Sequence, residues 1–307
     1  MSPGPAVDPA DGLRRIATAD GLRLAYRDTG APRPAATEDA EAPSPGVPVL
    51  CLAGLARHGA DFERLADRLA PRRRVIVPDY IGRGRSDRAE HWRRYAPMAM
   101  LQDLGDLLAA AGGGRVAIIG TSLGGLLAMG LAVAKPTHVA GVLLNDVGPE
   151  LDTDGLPRIA AYIRDDEPLP DWDAAVAKLH HMMPDLSVGE PEAEGWLAAA
   201  RATWRECADG RLRYDFDPRL ADTLEAEDGP MPDLWALFDA LAGLPLAILR
   251  AGRSDVLSPE TLARMRARRP DAIVAEIDGI GHAPNLDEPL SRETIDAFLD
   301  RCDAAGR

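Results

Sequence analysis

Cysteine is scarce in this chain, with Cys51, Cys207 and Cys302 the only three in 307 residues. An odd, widely spaced set without a C-x-x-C pair implies neither a disulfide framework nor a zinc site, and a reducing cytoplasm is the expected setting. Positive charge is also in deficit: 35 Lys and Arg stand against 49 Asp and Glu, a formal charge of −14. A surface of that sign excludes a nucleic-acid partner and disfavours adsorption to anionic membranes. No run of about 18 apolar residues is present, so no bilayer-spanning helix is expected. The Pro/Ala/Asp-rich stretch from Met1 to Asp11 lacks the basic-then-apolar order of a secretory signal. What is there is ordinary for a globular protein: 46% hydrophobic and 27% charged residues, in a length that suits one large α/β domain or two small ones.

Apolar segments then set the organisation. Residues 1–12 read as a disordered N-terminus. Arg14–Ala17 and Leu22–Tyr26 flank Asp20-Gly21 and predict a hairpin with a two-residue turn. Residues 31–46 carry Pro, Ala, Glu and Ser without hydrophobic period, as a surface loop insertion does. Short apolar runs at Val47–Leu52, Arg74–Pro78, Arg115–Ile119 and Val139–Asn145 alternate with helical patterns at Asp61–Leu69, Met98–Ala111 and Leu123–Ala134. Continuously apolar strands separated by helices predict a parallel sheet covered on both faces. The alternation lapses over 148–241, which holds helical stretches such as Trp172–Met183 and Ala193–Arg205 but no long apolar strand. It resumes with strands at Leu244–Arg250 and Ala272–Ile277 and helices at Pro259–Arg268 and Ser291–Arg301. The expected division is a core of 13–147 and 242–307 with a helical lid, 148–241, inserted after the sixth strand.

Within that frame Gly120-Thr121-Ser122-Leu123-Gly124-Gly125 follows the strand Val116–Ile119 directly and opens a helix. A G-x-S-x-G pattern in strand–turn–helix context presents its serine at the end of a sheet, on a sharp turn beside a helix N-terminus. Glycines on either side allow strand and helix to approach closely. Serine needs a base oriented by an acid. Of six histidines, only His282 lies in a loop after a late strand, in Asp278-Gly-Ile-Gly-His-Ala-Pro284. Asp255 and Asp146 both stand just past strands, where open parallel sheets place their sites; Asp255 is the preferred acid and Asp146 the alternative, with ordering of the lid's start as its structural role. The oxyanion hole needs two converging N–H donors. Leu123 and, from the loop Leu52-Ala53-Gly54-Leu55, Leu55 are the candidates, with Gly54 letting substrate approach the backbone.

These residues resemble the lidded α/β-hydrolase family over nearly the whole chain from about Arg14. Gly120-Thr-Ser-Leu-Gly-Gly resembles its nucleophile elbow, Gly281-His-Ala-Pro its histidine loop and Ser254-Asp255 its usual acid site. Asp79-Tyr-Ile-Gly-Arg-Gly-Arg-Ser86 is similar to a D-x-x-G-x-G-x-S segment that shapes a loop there and is not catalytic. Ala53-Gly54 departs from the His-Gly found in many members, which removes a buttressing side chain and leaves the backbone donor. The resemblance is nearest to small esterases, enol-lactonases and cofactor-free haloperoxidase-type members. It implies a mostly parallel, doubly wound eight-stranded sheet.

The resulting expectation is cleavage of a small carboxylic ester or lactone through an acyl-enzyme, with Ser122, His282 and Asp255 as triad and Leu55 and Leu123 as oxyanion donors. No metal or organic cofactor is expected: H-E-x-x-H is absent, and the adjacent His180 and His181 would point about 100° apart on a helix. Gly54, Arg57, Trp172, Met183 and Trp204 are the candidate substrate-binding residues. Each lid residue among them has packing within the lid as its other reading, and Arg57 has that of a surface charge. Carbon–carbon bond hydrolysis, perhydrolysis, or ligand reception without turnover are the rival readings, and the oligomeric state is left open.

Overall fold

Strands that are apolar at every position must be covered on both faces, and the fold meets that demand. The computed structural model describes residues 7–8, 12–31, 46–150, 156–189, 191–225 and 233–306. In chain order β1 (Arg14–Ala17) and β2 (Arg23–Asp28) form a hairpin, followed by β3 (Val49–Leu52), α1 (Glu63–Leu69), β4 (Val75–Pro78), α2 (Pro97–Ala110), β5 (Val116–Thr121), α3 (Leu123–Ala134) and β6 (Val139–Asn145). Next come α4 (Leu156–Arg164), α5 (Trp172–Met182), α6 (Glu192–Arg201), β7 (Trp204–Glu206), β8 (Leu212–Tyr214), α7 (Asp222–Glu225) and α8 (Leu234–Asp239). The chain closes with β9 (Leu246–Ala251), α9 (Pro259–Arg268), β10 (Ile273–Ile277) and α10 (Pro289–Ala305).

Eight strands form one sheet in the order β1-β2-β4-β3-β5-β6-β9-β10. The pairs β1–β2 and β2–β4 are antiparallel and the rest parallel. Every residue of β3, β4, β6 and β9 is buried. The chain leaves β3 toward β4 on one side and returns to β5 on the other, so the loops after β3 and β5 diverge across a crevice at the carboxyl edge, where such sheets bind ligands. Register fixes this closely: Leu52 pairs with Gly120 on the neighbouring strand, which brings the loop carrying Gly54 and Leu55 beside Ser122.

Three expectations change in detail. The hairpin turn has three residues, 19–21, because Ala17 pairs with Arg23 and the Thr18 amide bonds the Leu22 carbonyl; Gly21 closes it in the left-handed region (φ 84°). The segment between β6 and β9 is not wholly helical, since α6 ends at Arg201 and Trp204–Glu206 pairs with Leu212–Tyr214. Burial drives that switch: Trp204 stacks on Tyr214 (5.3 Å) and Tyr214 on Phe216 (4.4 Å), an aromatic core that a continued helix would pull apart. Near the N-terminus Val7 bridges to Arg14 and Asp8 pairs with Arg15 at 2.9 Å. The remainder of the segment expected to be disordered, and residues 32–45 of the expected loop insertion, lie outside the described residues.

Cys51 and Cys302 are buried, and burial pushes the Cys302 thiol up to about 12. A Cβ on Gly141 of β6 would stand 2.5 Å from the Cys302 sulfur, so this cysteine serves as packing between α10 and the sheet. Among the described residues no helix is long and apolar enough to cross a membrane.

Candidate active site

Ser122 adopts φ 53°, ψ −120° between β5 and α3, a backbone state that costs a non-glycine residue free energy and persists only where its surroundings impose it. The surroundings are visible. The Ser122 amide donates to the Asn145 carbonyl at 3.0 Å, and its carbonyl accepts from the Gly125 amide at 2.8 Å. A Cβ on Gly120 would stand 2.4 Å from the Gly124 carbonyl oxygen, and one on Gly124 would stand 2.0 Å from that of Leu52. Glycine is therefore demanded at both positions by backbone proximity. Leu123 is the first residue of α3, so its N–H has no acceptor within the helix and is directed out of the helix start.

His282 lies past β10, and its Nδ1 is 2.7 Å from Oδ2 of Asp146. Asp146 directly follows β6, is fully buried and adopts φ 56°. Its other oxygen accepts from the Ala251 amide at 2.9 Å, and its own amide donates to the Leu249 carbonyl at 2.8 Å. The carboxylate partner of His282 is thus Asp146, where the sequence favoured Asp255. The physical reason is sheet order: β6 lies between β5, which leads into Ser122, and β9, so the end of β9 clamps the Asp146 carboxylate and turns its free oxygen toward the histidine loop. Asp255, four residues beyond the end of β9, lines the cavity.

Asn145 escaped the sequence reading. It is fully buried, and its amide nitrogen donates to Thr121 Oγ1 (3.0 Å) and to the Pro284 carbonyl (2.9 Å). One side chain thereby ties the end of β5 to the loop that carries His282. Its place directly before Asp146 was the available signal.

Ser122 and His282 open into one cavity of about 1210 Å³, which Gly54, Leu55, Arg57, Met183 and Asp255 also line. A Cβ on Gly54 would lie 3.8 Å from that of Ser122, so the missing side chain leaves open space over the serine. Arg57 is tied down: Nε and Nη2 donate to the Asp61 carboxylate and Nη1 to Thr203 Oγ1. That tie links the loop after β3 to the end of α6 and neutralises the charge inside the protein, and no sequence spacing announced Thr203 as its acceptor.

Trp172 and Trp204 do not line the cavity. Trp204 belongs to the aromatic core described above, and Trp172 carries the Arg201 guanidinium 5.7 Å from its ring centre. Met182, Tyr162, Ile159, Leu186 and Val188 supply the apolar wall instead; burial pushes the Tyr162 phenol up to about 12, with Arg57 opposing. His58 is not among the residues that line the cavity and lies between Asp79 (3.9 Å) and Asp215 (3.6 Å). Burial raises the Asp79 carboxyl above its ordinary value, against the pull of His58 and the Arg85 and Gly59 amides. Among the described residues no group of three or more His, Cys, Asp or Glu is arranged to hold a metal ion.

A strained serine between a parallel strand and a helix, on this sheet, defines a hydrolase class, and the chain belongs to the alpha/beta hydrolase family, whose model matches residues 49–292. It is an enzyme of the hydrolase type. It is 33% identical over 273 residues to the 3-hydroxybutyrate-oligomer hydrolase of Cupriavidus necator, a match that covers 87% of this chain and 89% of that protein. It is 26% identical over 268 residues to the 2-(acetamidomethylene)succinate hydrolase of Mesorhizobium japonicum, covering 83% of this chain and 88% of that one. Among solved structures, an alpha/beta hydrolase from Novosphingobium aromaticivorans superimposes with a TM-score of 0.84 at 42% identity, covering 94% of this chain and 98% of that one.

Proposed function

We propose that this chain is a serine ester hydrolase in which Ser122 is the nucleophile, His282 the general base and Asp146 the acid that orients it. The observation that carries the reading is the joint geometry of a left-handed Ser122 and a His282 whose Nδ1 is held by a buried carboxylate, both opening into one cavity. His282 Nε2 takes the hydroxyl proton as Ser122 Oγ bonds to the ester carbonyl carbon. Asp146 stabilises the imidazolium and fixes its tautomer. The N–H groups of Leu55 and Leu123 receive the negative charge that moves onto the carbonyl oxygen. Collapse breaks the bond to the alcohol, which leaves with the proton from His282. Water, deprotonated by the same histidine, then attacks the acyl-enzyme; the acid departs and Ser122 recovers its proton.

Cavity size and relatives together favour the ester of a hydroxy acid, or a short oligomer or lactone of one. The volume of about 1210 Å³ lies just above the roughly 300–1,000 Å³ of ordinary small-molecule pockets, and its wall is largely apolar. One relative is named a 3-hydroxybutyrate-oligomer hydrolase. In this reading the segment 148–241 is a lid, and its cavity-lining residues from Ile159, Met182, Met183 and Val188 set the acyl length accepted.

The test is a panel of short-chain esters, 3-hydroxybutyrate dimers and trimers and their lactones, run beside fluorophosphonate labelling. Turnover by the wild type, its loss in Ser122→Ala and labelling confined to Ser122 are the expected results. An unchanged rate in Ser122→Ala, or tight binding of the panel without turnover, would overturn the reading.

A further inference from the structure

We propose that Arg83 is a positioning residue for this hydrolysis: its buried guanidinium anchors the Leu55 carbonyl and sets a positive charge, with no ion-pair partner among the described residues, behind the oxyanion site. The proposal rests on the reading above in which the Leu55 N–H is an oxyanion donor.

Arg83 lies in the segment after β4 that the sequence marked only as loop-shaping. It is 1% exposed, one of the largest fully buried side chains in the molecule. Its Nε donates to the Leu55 carbonyl at 2.5 Å and its Nη1 to the Ile81 carbonyl at 3.1 Å. Nη2 is buried with no hydrogen-bond partner among the described residues. The carboxylate whose charge acts on it is Asp217, and the Asp217 oxygens are already taken by the Arg219 guanidinium and the Tyr95 hydroxyl. The Tyr80 ring, 5.2 Å away, adds an aromatic face. Burial pushes the guanidinium down to about 10, and it stays protonated at neutral pH.

A buried cation without an ion-pair partner is costly. Joining the loop after β3 to that after β4 does not require it, since two neutral amide donors on a glutamine would serve. What the charge adds is a field at Leu55. One residue of backbone and two hydrogen bonds separate the guanidinium from the oxyanion position, a distance of about 8 Å. The ester is neutral before attack and its oxygen is anionic in the tetrahedral state, so the charge acts on the transition state and not on the bound substrate. At an effective dielectric of about 20, a fixed charge at that distance corresponds to a rate effect of roughly 30-fold.

The experiment uses the full chain and compares Arg83→Met, which removes the charge at similar volume, with Arg83→Lys, which keeps it. Folding is checked by circular dichroism, and an ester that the wild type turns over is the substrate. Folded Arg83→Met should lose kcat by tenfold or more with KM nearly unchanged, and the inhibition constant of phenylboronic acid, which forms a tetrahedral adduct on serine, should rise in parallel. A smaller loss of kcat, or a boronate affinity that stays at the wild-type value, overturns the proposal. Where Arg83→Met does not fold, Arg83→Lys decides: kcat within tenfold of wild type supports the charge, and a greater loss overturns it. Failure of both to fold would assign Arg83 to the fold alone and overturn it as well. A wild type inert toward all esters sinks the hydrolase reading itself, whereas an active wild type matched by Arg83→Met sinks the Arg83 assignment only.

Discussion

His282 Nδ1 lies 2.7 Å from Oδ2 of Asp146, a residue 136 positions earlier in the chain. The pair spans β9, which stands between β6, the strand that Asp146 directly follows, and β10, the strand that precedes His282. The first prediction follows from it. Asp146→Asn removes the acceptor that fixes the imidazole tautomer and should lower kcat by about 10³–10⁴-fold, while Asp255→Asn should stay within about tenfold of wild type. Steady-state kinetics on one ester compare them, and the reverse order would return the acid role to Asp255.

Space above Ser122 gives a second test. A Cβ on Gly54 meets only ordinary contacts, 3.5 Å from Arg57 Cγ and 3.8 Å from Ser122 Cβ. Gly54→Val should therefore fold with stability within about 1 kcal/mol of wild type, yet lose about tenfold or more in kcat/KM because its methyl groups occupy the acyl position. Thermal melting and kinetics on the same preparation separate the two effects.

Gly124 behaves oppositely. Its absent Cβ would stand 2.0 Å from the Leu52 carbonyl oxygen, and that atom belongs to a buried central strand that cannot retreat. Gly124→Ala should destabilise the fold by at least the 1–3 kcal/mol typical of overpacking, seen as a lower denaturation midpoint in urea.

Stability should also respond to pH through Asp28. Burial opposes its ionisation, but the Arg74 hydrogen bonds, the Gly30 amide and the Arg74 and Arg14 charges outweigh burial, so its carboxyl lies below the ordinary 3.8. Arg74 binds it through two N–H groups at 2.8 and 2.7 Å. A carboxylate depressed on folding contributes stability above its unfolded value and loses it as pH falls through the folded one. Asp28→Asn should thus cost about 1–3 kcal/mol near neutral pH, and the gap in melting temperature between variant and wild type should close as pH drops below about 3.8. A gap that does not begin to narrow as pH falls below about 3.8 would contradict this account.

How far the chain could be read in advance depended on how local each signal was. Leu123–Ala134, Val139–Asn145 and Pro259–Arg268 are found at the predicted bounds because periodicity and flanking turn residues act over a few positions. The end of α6 was not legible. Ala193–Arg205 continues a helical pattern, but the chain turns at Arg201 because the Trp204 indole gains more from stacking on Tyr214, ten residues on, than from another helical turn. The lining of the cavity was mixed for the same reason: Met183 and Gly54 face it, whereas Trp172 and Trp204 found partners within the inserted segment.

The sequence alone determined that Ser122 would stand on a strand-to-helix turn, since Gly120 and Gly124 are the residues that such an approach of backbones permits. It also brought out His282 as the histidine in a loop beyond a late strand. Tertiary structure decided which carboxylate meets that histidine. Asp146 and Asp255 each follow a strand, and nothing local distinguishes them; the order of β6 and β9 in the sheet does, because the Ala251 amide at the end of β9 holds one oxygen of Asp146 and leaves the other for His282.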